Sequence, residues 1–380
     1  MSDSSVNGKQ QARVLSGMRP TGKLHLGHFS GVVENWVRLQ RQYECFFFVA
    51  DWHALTTDYA DSSQVKQNSL EMAFDWLACG LDPERSTLFI QSHVIEHAEL
   101  HLLLSLITPL GWLERVPTYK EQRENIKDKD LGTYGFLGYP VLQAADILIY
   151  QADYVPVGED QVPHVELTRE IARRFNQFYR LPEPKRVFGL NPAPLNPQAA
   201  PESKLQHYET CAVLPEPQPL LTPAAKLPGT DGRKMSKSYG NAILLTDPAP
   251  LVRQKLKTMV TDPARVRRTD PGNPEICPAG DLHKIFSTPA TIEKVWPGCQ
   301  TAGIGCIECK GWLADHIVEV LAPIQDRRRH YENHPKLTWD ILEAGSARAQ
   351  AMAAATMDEV RLAMRLSHRY EAPAPAGGNG

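Results

Sequence analysis

Long apolar runs are missing from this chain. No stretch of the 380 residues stays apolar over the roughly 20 positions that a membrane-spanning helix needs. Residues 1–11 are polar and do not form the apolar segment of a secretory signal. We therefore expect a cytoplasmic protein without membrane contact.

An excess of positive charge is also missing. The formal net charge is −3, so no overall basic field indicates a nucleic-acid partner. Contact with RNA would have to use local basic runs such as residues 265–268 and 327–330, for which a solvated helix face is the alternative interpretation.

Cysteine is scarce, with seven residues in the chain. In a cytosolic protein this number argues against a disulfide framework and for thiol or metal chemistry. Cys277, Cys299, Cys306 and Cys309 have the spacing C-x21-C-x6-C-x2-C. Four thiolates suggest a metal centre, and they suit an iron–sulfur cluster or Zn²⁺, with unmetallated thiols as the third alternative.

Strand and helix patterns alternate over the first half of the chain. The short, buried strand patterns fall at residues 13–18, 45–50, 87–91 and 154–157. The alternation predicts an α/β fold, namely a doubly wound, Rossmann-like parallel sheet with ligand-binding loops at the carboxyl ends of its strands. Residues 140–150 are predicted to form a helix that begins at Pro140.

The domain organisation follows from shifts in the pattern. We expect a catalytic domain over residues 1–245, with a connective insertion at about 98–138 and a proline-rich insertion at about 184–214. Prolines are so frequent between 181 and 228 that regular structure is not expected there. Residues 246–371 predict an all-helical C-terminal domain, and residues 372–380 a disordered tail.

One motif, residues 20–28, lies where the first strand is predicted to turn into a helix. It reads Pro-Thr-Gly-Lys-Leu-His-Leu-Gly-His. We interpret His25 and His28 as donors to the phosphates of a nucleotide, with Gly27 allowing the nucleotide to approach the backbone and the helix N-terminus adding partial positive charge. Half of a zinc site is the alternative for the two histidines.

A second motif, residues 234–238, reads Lys-Met-Ser-Lys-Ser and lies between Gly232 and Gly240. Ordinary exposed lysines are the alternative interpretation. The two hydroxyls and flanking glycines favour a loop in which Lys234 and Lys237 stabilise the pyrophosphate leaving group. The two motifs together predict an ATP-activating site.

Both motifs resemble the signatures of class I aminoacyl-tRNA synthetases. Three further segments, residues 17–22, 139–148 and 156–161, resemble the tryptophanyl-tRNA synthetase family, and the likeness runs from about residue 13 to 370. The resemblance implies that the chain activates tryptophan with ATP and Mg²⁺, releases pyrophosphate and transfers tryptophan to tRNA(Trp). It also implies a homodimer whose helical domain reads the anticodon.

The resemblance implies roles for individual residues. Those expected to contact ATP are Arg19, Pro20, Thr21, Gly27, His28, Gly158, Glu159, Asp160, Lys234, Met235, Ser236, Lys237 and Ser238. Those expected to hold tryptophan are Tyr139, Gln143, Asp146 and Gln161. Asp146 would accept the indole N–H, because that nitrogen is only a donor and needs an acceptor in its pocket. A buried structural carboxylate is the alternative for Asp146.

The resemblance also extends to the cysteines and has two departures. The cysteine spacing resembles that of a bacterial subset of the family that carries a [4Fe-4S] cluster near the anticodon-binding region, and Zn²⁺ remains the alternative. Arg19 occupies a position often held by a polar amide. The phosphate lysine expected after Tyr119 is replaced in the run 120–123, where Gln122 stands, and Arg123 or Lys127 could substitute.

Other functions compete with this interpretation. Tyrosyl-tRNA synthetase shares the fold, and an aspartate could also accept from a phenol. A synthetase-like RNA-binding or regulatory protein would be expected to have damaged motifs, whereas both are intact here. A small-molecule nucleotidyltransferase could share the first motif but would not call for the helical domain with its cysteines.

Overall fold

The computed structural model describes residues 11–116, 132–189, 206–221 and 227–366. Within these ranges the predicted α/β architecture is confirmed. The strands are β1 (Arg13–Met18), β2 (Glu44–Val49), β3 (Ser86–Ile90), β4 (Tyr154–Val157), β5 (Lys185–Gly189), β6 (Gln206–Thr210) and β7 (Gln218–Leu221).

Five strands form one parallel sheet in the order β3-β2-β1-β4-β7. In its register Val14 of β1 lies opposite Cys45 of β2 on one side and Tyr154 of β4 on the other. The chain therefore winds outward from β1 in both directions, which is the doubly wound topology. A crevice opens at the carboxyl ends of β1 and β4, where the winding reverses.

Regular structure occurs in the proline-rich stretch, contrary to the prediction. β7 pairs with β4 in parallel and forms the edge of the main sheet. Pro219 is tolerated there because an edge strand leaves one side of its backbone unpaired. β5 and β6 pair antiparallel in the same stretch. The central part of the predicted insertion, residues 190–205, lies outside the described residues.

The helices fall between and after the strands. In the first part of the chain they are α1 (Leu26–His28), α2 (Glu34–Leu39), α3 (Asp51–Asp58), α4 (Val65–Cys79), α5 (Glu96–Ser105), α6 (Leu110–Leu113), α7 (Tyr134–Ile149) and α8 (Val162–Phe178). The C-terminal part contains α9 (Ala249–Thr258), α10 (Pro278–Phe286), α11 (Pro289–Gln300), α12 (Cys306–Asn333) and α13 (Pro335–Ala363). The expectation of a helical C-terminal region is confirmed.

The helix that carries Asp146 begins earlier than predicted. Pro140 lies inside α7 rather than at its start. The helix begins after Thr133, whose side chain accepts from the N–H of Phe136 at 3.2 Å. The sequence pattern concealed these first turns because they contain Gly135 and Gly138, and glycine is a poor helix former.

The C-terminal helices pack directly on the sheet and its helices. Leu313 and Ile317 of α12 share one hydrophobic core with Trp36 and Trp76. Helix α13 covers β3 so closely that a Cβ on Gly345 would lie 1.8 Å from the carbonyl oxygen of Leu88. The helices after residue 246 therefore help to hold the elements that carry the site. Among the described helices none is both long enough and apolar enough to cross a membrane.

Candidate active site

A cavity of about 490 Å³ opens at the carboxyl ends of β1 and β4. This is the place where the reversed winding of the sheet leaves a crevice. Its lining includes eight of the residues singled out from the sequence: Arg19, His28, Tyr139, Gln143, Asp146, Gly158, Asp160 and Gln161. The lining as a whole comes from five stretches of the chain, within residues 15–19, 28–36, 48–57, 136–147 and 155–164.

Asp146 is the most deeply buried charged group of this cavity, with 1% of its surface exposed. His53 Nε2 lies 2.8 Å from its Oδ2, and His97 Nδ1 lies 2.6 Å from its Oδ1. Gln91 Nε2 donates to both oxygens, at 2.8 and 2.9 Å. Burial alone would raise the pKa of Asp146, but the hydrogen bonds from the two histidines hold it well below its usual range. The side chain is therefore a carboxylate and acts only as an acceptor.

Other residues predicted to hold tryptophan surround this carboxylate on α7 and α8. Tyr139 and Gln143 line the cavity, and the Tyr139 hydroxyl lies 3.4 Å from Nε2 of the buried His164. Gln161, just before α8, lines it as well. Tyr150 follows the last residue of α7, and its hydroxyl lies 2.6 Å from His97 Nε2.

His25 and His28 lie at the two ends of the short helix α1, and the side chain of each caps the backbone N–H of the other. The N–H of His28 donates to His25 Nδ1 at 3.3 Å, and the N–H of His25 donates to His28 Nδ1 at 3.4 Å. The rings stack with centroids 3.7 Å apart. Because each Nδ1 accepts a hydrogen bond, the proton of each neutral ring is on Nε2, and both Nε2–H groups remain donors.

Both imidazoles are neutral at physiological pH. Burial, with Lys237 and Lys234 nearby, lowers the pKa of His25 to about 4. Burial, followed by His25 and the same lysines, lowers the pKa of His28 to about 3. The pair can therefore stabilise anionic oxygens by donating hydrogen bonds, while the positive charge comes from the lysines.

The two sequence motifs meet, although 216 residues separate Thr21 from Lys237. Lys237 Nζ donates to the carbonyl oxygen of Thr21, to its hydroxyl at 3.2 Å and to the carbonyl oxygen of Lys23 at 2.9 Å. The segment after the second motif also pairs with the first, since Leu26 N–H donates to Ile243 O at 3.0 Å. The fold thus places the lysine loop against the histidine turn.

The lysine loop is shaped by its flanking residues. Gly232 and Gly240 both have positive φ angles, 82° and 66°, which favour glycine. Met235 is buried at 4% exposure and anchors the loop in the core, whereas Lys234 is exposed. Ser236 and Ser238 lie with their hydroxyl oxygens 2.8 Å apart. The polar groups of the loop therefore face outward from an apolar anchor.

Arg19 follows β1 and lies at the cavity wall. Its Nη2 donates to the Thr57 hydroxyl and to Asp58 Oδ2 at 3.2 Å, both on α3. The other residues expected at the ATP site are not part of the cavity lining in the portion of the chain that the structure describes: Pro20, Thr21, His25, Gly27, Glu159, Lys234, Met235, Ser236, Lys237 and Ser238. The phosphate residue expected within 120–127 lies outside the described residues.

The four cysteines lie near one another around the start of α12. Burial and the neighbouring thiols of Cys277, Cys299 and Cys306 raise the pKa of Cys309 to about 12. His283 Nε2 lies 3.3 Å from Cys309 Sγ. In the described ranges, however, no three His, Cys, Asp or Glu side chains are grouped so that they could hold a metal ion. The predicted metal centre gains no support from this arrangement.

The basic runs considered as RNA contacts include buried structural arginines. Arg265 is 8% exposed and donates to the carbonyl oxygens of Ile304 and Arg268. Arg328 is 2% exposed and pairs with Glu71 and Asp75 of α4. Neither of these side chains forms part of a solvated helix face, so neither alternative weighed from the sequence applies to them.

Several residues of the site were not assigned from the sequence. His53, Gln91 and His97 surround Asp146, and Thr57 holds Arg19. Gln91 comes directly after the carboxyl end of β3, and His53 lies in the first turn of α3, the helix that follows β2. Their position could have predicted a place in the site, because the segments that follow the strands at this edge of a parallel sheet face the ligand crevice. His97 carries no such signal, since it lies within α5.

Comparison with known proteins identifies the family. The model of class I tRNA synthetases for tryptophan and tyrosine matches residues 7–322. The tryptophan–tRNA ligase of Ralstonia nicotianae is 51% identical, with 94% of this chain and 99% of that protein covered. The ligase of Thermotoga maritima is 52% identical, with coverages of 93% and 99%.

A solved structure supports the same assignment. Tryptophanyl-tRNA synthetase from Campylobacter jejuni, complexed with ADP and tryptophan, matches with a TM-score of 0.77 and 30% identity. The match covers 93% of this chain and 100% of that chain. The chain therefore belongs to the tryptophan–tRNA ligase family of class I synthetases, the enzymes that charge tRNA with tryptophan.

Proposed function

We propose that the cavity at β1 and β4 is where this chain joins tryptophan to AMP. One observation carries the proposal: a buried, ionised acceptor, Asp146, lies in the same cavity as Arg19 and as His28 of the first motif. Tryptophan fits this acceptor because its indole nitrogen can only donate. A site built around such an acceptor rejects analogues that lack the donor.

The tryptophan-binding side comprises Tyr139, Gln143, Asp146 and Gln161 in this proposal. Asp146 accepts the indole N–H, while the cavity walls on α7 and α8 hold the ring. The substrate carboxylate then points toward Arg19 and the first motif, where it attacks the α-phosphate of ATP. No side-chain nucleophile is required, so positioning and charge stabilisation supply the catalysis.

The ATP-binding side comprises the two motifs and the loop after β4. Gly158, Glu159 and Asp160 hold the ribose and adenosine end, and Arg19, Pro20, Thr21 and Gly27 contact the nucleotide near the first motif. His25 and His28 donate from Nε2 to phosphate oxygens. Mg²⁺ on the triphosphate supplies further charge neutralisation.

The lysine loop stabilises the pyrophosphate as it leaves. Lys234 and Lys237 contribute charge, while Met235, Ser236 and Ser238 shape the loop. Lys237 now donates to three oxygens of Thr21 and Lys23, which uses all three of its protons. Binding of a phosphate by Lys237 therefore exchanges at least one of these contacts for a contact with the nucleotide.

Transfer to tRNA(Trp) follows adenylate formation. The helical region over residues 246–371 reads the anticodon in this proposal, and residues 1–245 carry the chemistry. Unpaired anticodon bases can be stacked and hydrogen-bonded by protein side chains. The reaction takes place in the cytoplasm in this proposal.

The four cysteines form a structural [4Fe-4S] site in this proposal, with Zn²⁺ as the alternative. Support comes from the cysteine spacing, whereas the described side chains are not grouped so that they could hold a metal ion. Donors nevertheless lie beside two of the sulfurs. Arg265 Nη1 lies 3.6 Å from Cys299 Sγ, and His283 Nε2 lies 3.3 Å from Cys309 Sγ. N–H donors of this kind tune thiolate-ligated centres. No step of the reaction passes through the site.

A homodimer is the proposed assembly, joined through an apolar face of α5. Ile95, Leu102 and Leu106 recur at spacings that place them on one side of this helix, and they are 61%, 58% and 71% exposed. Leu110, 62% exposed, continues the face into α6. Large exposed apolar surfaces mark interaction sites, and a second copy of the chain covers this one.

Amino-acid-dependent exchange between ATP and pyrophosphate tests the proposed activity. All twenty amino acids are compared, and charging of tRNA(Trp) is measured with those that respond. Exchange with tryptophan is expected in the wild type, with a loss of at least about 100-fold in Asp146→Ala. The exposed Asp326→Ala variant on α12 is the matched control and should retain full exchange. Exchange with tyrosine in place of tryptophan would overturn the proposal.

A further inference from the structure

Asp146 has a cavity side and a core side, and different residues occupy them. His53 lines the cavity together with Asp146, and its side chain is 13% exposed. Gln91 and His97 are fully buried and are not part of the cavity lining. Two of the three side chains that hold this carboxylate therefore act from the core, where a substrate cannot reach them.

The core-side hydrogen bonds have a fixed direction. Tyr150 lies 2.6 Å from His97 Nε2, and burial raises the pKa of its hydroxyl well above the ordinary value, so the hydroxyl keeps its proton. Asp146 can only accept, so Nδ1 of His97 must carry a proton and donate. With that proton on Nδ1, Nε2 can accept from the Tyr150 hydroxyl, and the donors then run from Tyr150 through His97 to Asp146.

The side-chain amide of Gln91 also has a fixed orientation. Its Oε1 accepts from the N–H of Trp52 at 3.2 Å, which leaves the amide Nε2 to donate toward Asp146. This nitrogen lies close to both carboxylate oxygens, at 2.8 and 2.9 Å. The carboxylate is thus fixed in rotation by donors that do not depend on the contents of the cavity.

The surroundings of His97 are apolar. Its ring lies among Phe48, Phe89 and Tyr150, with ring centroids 5.3–6.1 Å away. A polar side chain in such a cluster costs stability unless its hydrogen bonds are satisfied.

We propose that His97, oriented by Tyr150 and assisted by Gln91, is a positioning residue that sets the selectivity of the site for an indole N–H. The inference rests on the proposed function. His97 keeps Asp146 in the anionic form and its carboxylate in one orientation, so that Oδ2 accepts from the cavity side. At Oδ2 the indole N–H of the substrate either donates alongside His53 or replaces it as the donor.

The test compares tryptophan with β-(3-benzothienyl)alanine, in which sulfur replaces the indole N–H. The double variant His97→Phe/Tyr150→Phe removes the donor to Asp146 without leaving a buried phenol unpaired. His97→Asn/Tyr150→Phe restores an N–H donor near the position of Nδ1. Phe89→Leu loosens the same apolar cluster and leaves every hydrogen bond of Asp146 intact. Pyrophosphate exchange gives kcat and KM for each amino acid and for ATP.

The wild type should strongly prefer tryptophan. In the His97→Phe/Tyr150→Phe variant, KM for tryptophan is expected to rise about tenfold, and the preference in kcat/KM to fall about tenfold or more, while KM for ATP stays within twofold. The asparagine variant should recover most of the preference, and Phe89→Leu should keep it while lowering the urea midpoint.

An unchanged preference in the double variant would overturn the inference, as would an equal loss in Phe89→Leu. Gln91→Leu removes the other core-side donor, and its preference decides the question if the double variant does not fold. Failure of the wild type to exchange with tryptophan would instead contradict the proposed function. The two failures are therefore distinguishable.

Discussion

Arg328 and Asp75 form a buried ion pair between α12 and α4, with 2% and 0% of their side chains exposed. The other oxygen of Asp75 accepts the N–H of Leu24 at 2.6 Å, one residue before His25. An arginine from the C-terminal helices thus stabilises the carboxylate that holds the backbone of the first motif.

Arg328→Met should destabilise the protein by about 3–5 kcal/mol at pH 8, because it leaves Asp75 charged and unpaired in the core. Burial already raises the pKa of Asp75 to about 6, against Arg328 and the Leu24 N–H, which lower it. Since a protonated Asp75 needs no cation, the deficit should shrink as the pH falls from 8 toward 4. Urea unfolding at several pH values measures it.

Arg329→Met is the matched control for this pair. Arg329 is 68% exposed and pairs with the equally exposed Asp326, so its loss should change the free energy of unfolding by less than about 0.5 kcal/mol. Equal effects of the two variants would contradict the assigned importance of the buried pair.

Gly345→Ala should be strongly destabilising, by about 2 kcal/mol or more, because the added Cβ would meet the carbonyl oxygen of Leu88. Gly311→Ala is the matched control within a long helix, since a Cβ there meets nothing within 4 Å. That substitution should stabilise by about 0.5–1 kcal/mol. Thermal and urea unfolding measure both, and a stabilising Gly345→Ala would show that α13 does not pack on β3 as described.

Lys237→Ala should lower kcat for pyrophosphate exchange by about 100- to 1000-fold, the usual loss when one donor to a developing charge is removed. Tryptophan binding, measured by fluorescence or calorimetry, should remain close to the wild-type value. Lys284→Ala, at a 40% exposed lysine paired with Glu275, should leave both measurements unchanged. Exchange within twofold of the wild type in Lys237→Ala would remove the loop from the proposed chemistry.

Leu106→Glu should convert the proposed dimer into a monomer, because a charge on the α5 face cannot be buried unpaired between two copies. Sedimentation equilibrium or light scattering measures the mass. Leu362→Glu, at a position that is 57% exposed on α13, is the control for introducing a charge at an exposed leucine. A wild type that sediments as a monomer, or a Leu106→Glu variant that remains a dimer, would exclude this interface.

Cysteine ligation is tested on anaerobically purified protein by metal and sulfide analysis. A [4Fe-4S] site predicts about four iron atoms per chain and a broad visible absorbance. Both the iron content and the absorbance should be lower in Cys309→Ser. Cys79→Ser is the control, since Cys79 is buried in α4 apart from the other four cysteines. One zinc atom per chain would favour the alternative, and metal-free protein would contradict a resident centre.

The sequence alone determined the alternation of strands and helices in the first half of the chain, the two motifs and the family. These features are local, because a buried strand, a histidine turn and a glycine-flanked lysine loop each occupy a few consecutive residues. Sequence patterns misplaced the start of α7, where glycine obscures the helical pattern. They also missed β7, where proline obscures the strand pattern and tertiary pairing outweighs local preference.

Only the tertiary structure decided which distant groups meet. The three donors to Asp146 come from α3, α5 and the turn after β3, and the contact between Lys237 and Thr21 joins residues 216 positions apart. No periodicity specifies such contacts, since they depend on how the sheet orders its strands and on which helices cover its edges. The pKa values followed the same rule: those of Asp146, His25, His28 and Lys237 are lowered by burial or by partners that the linear sequence does not place beside them.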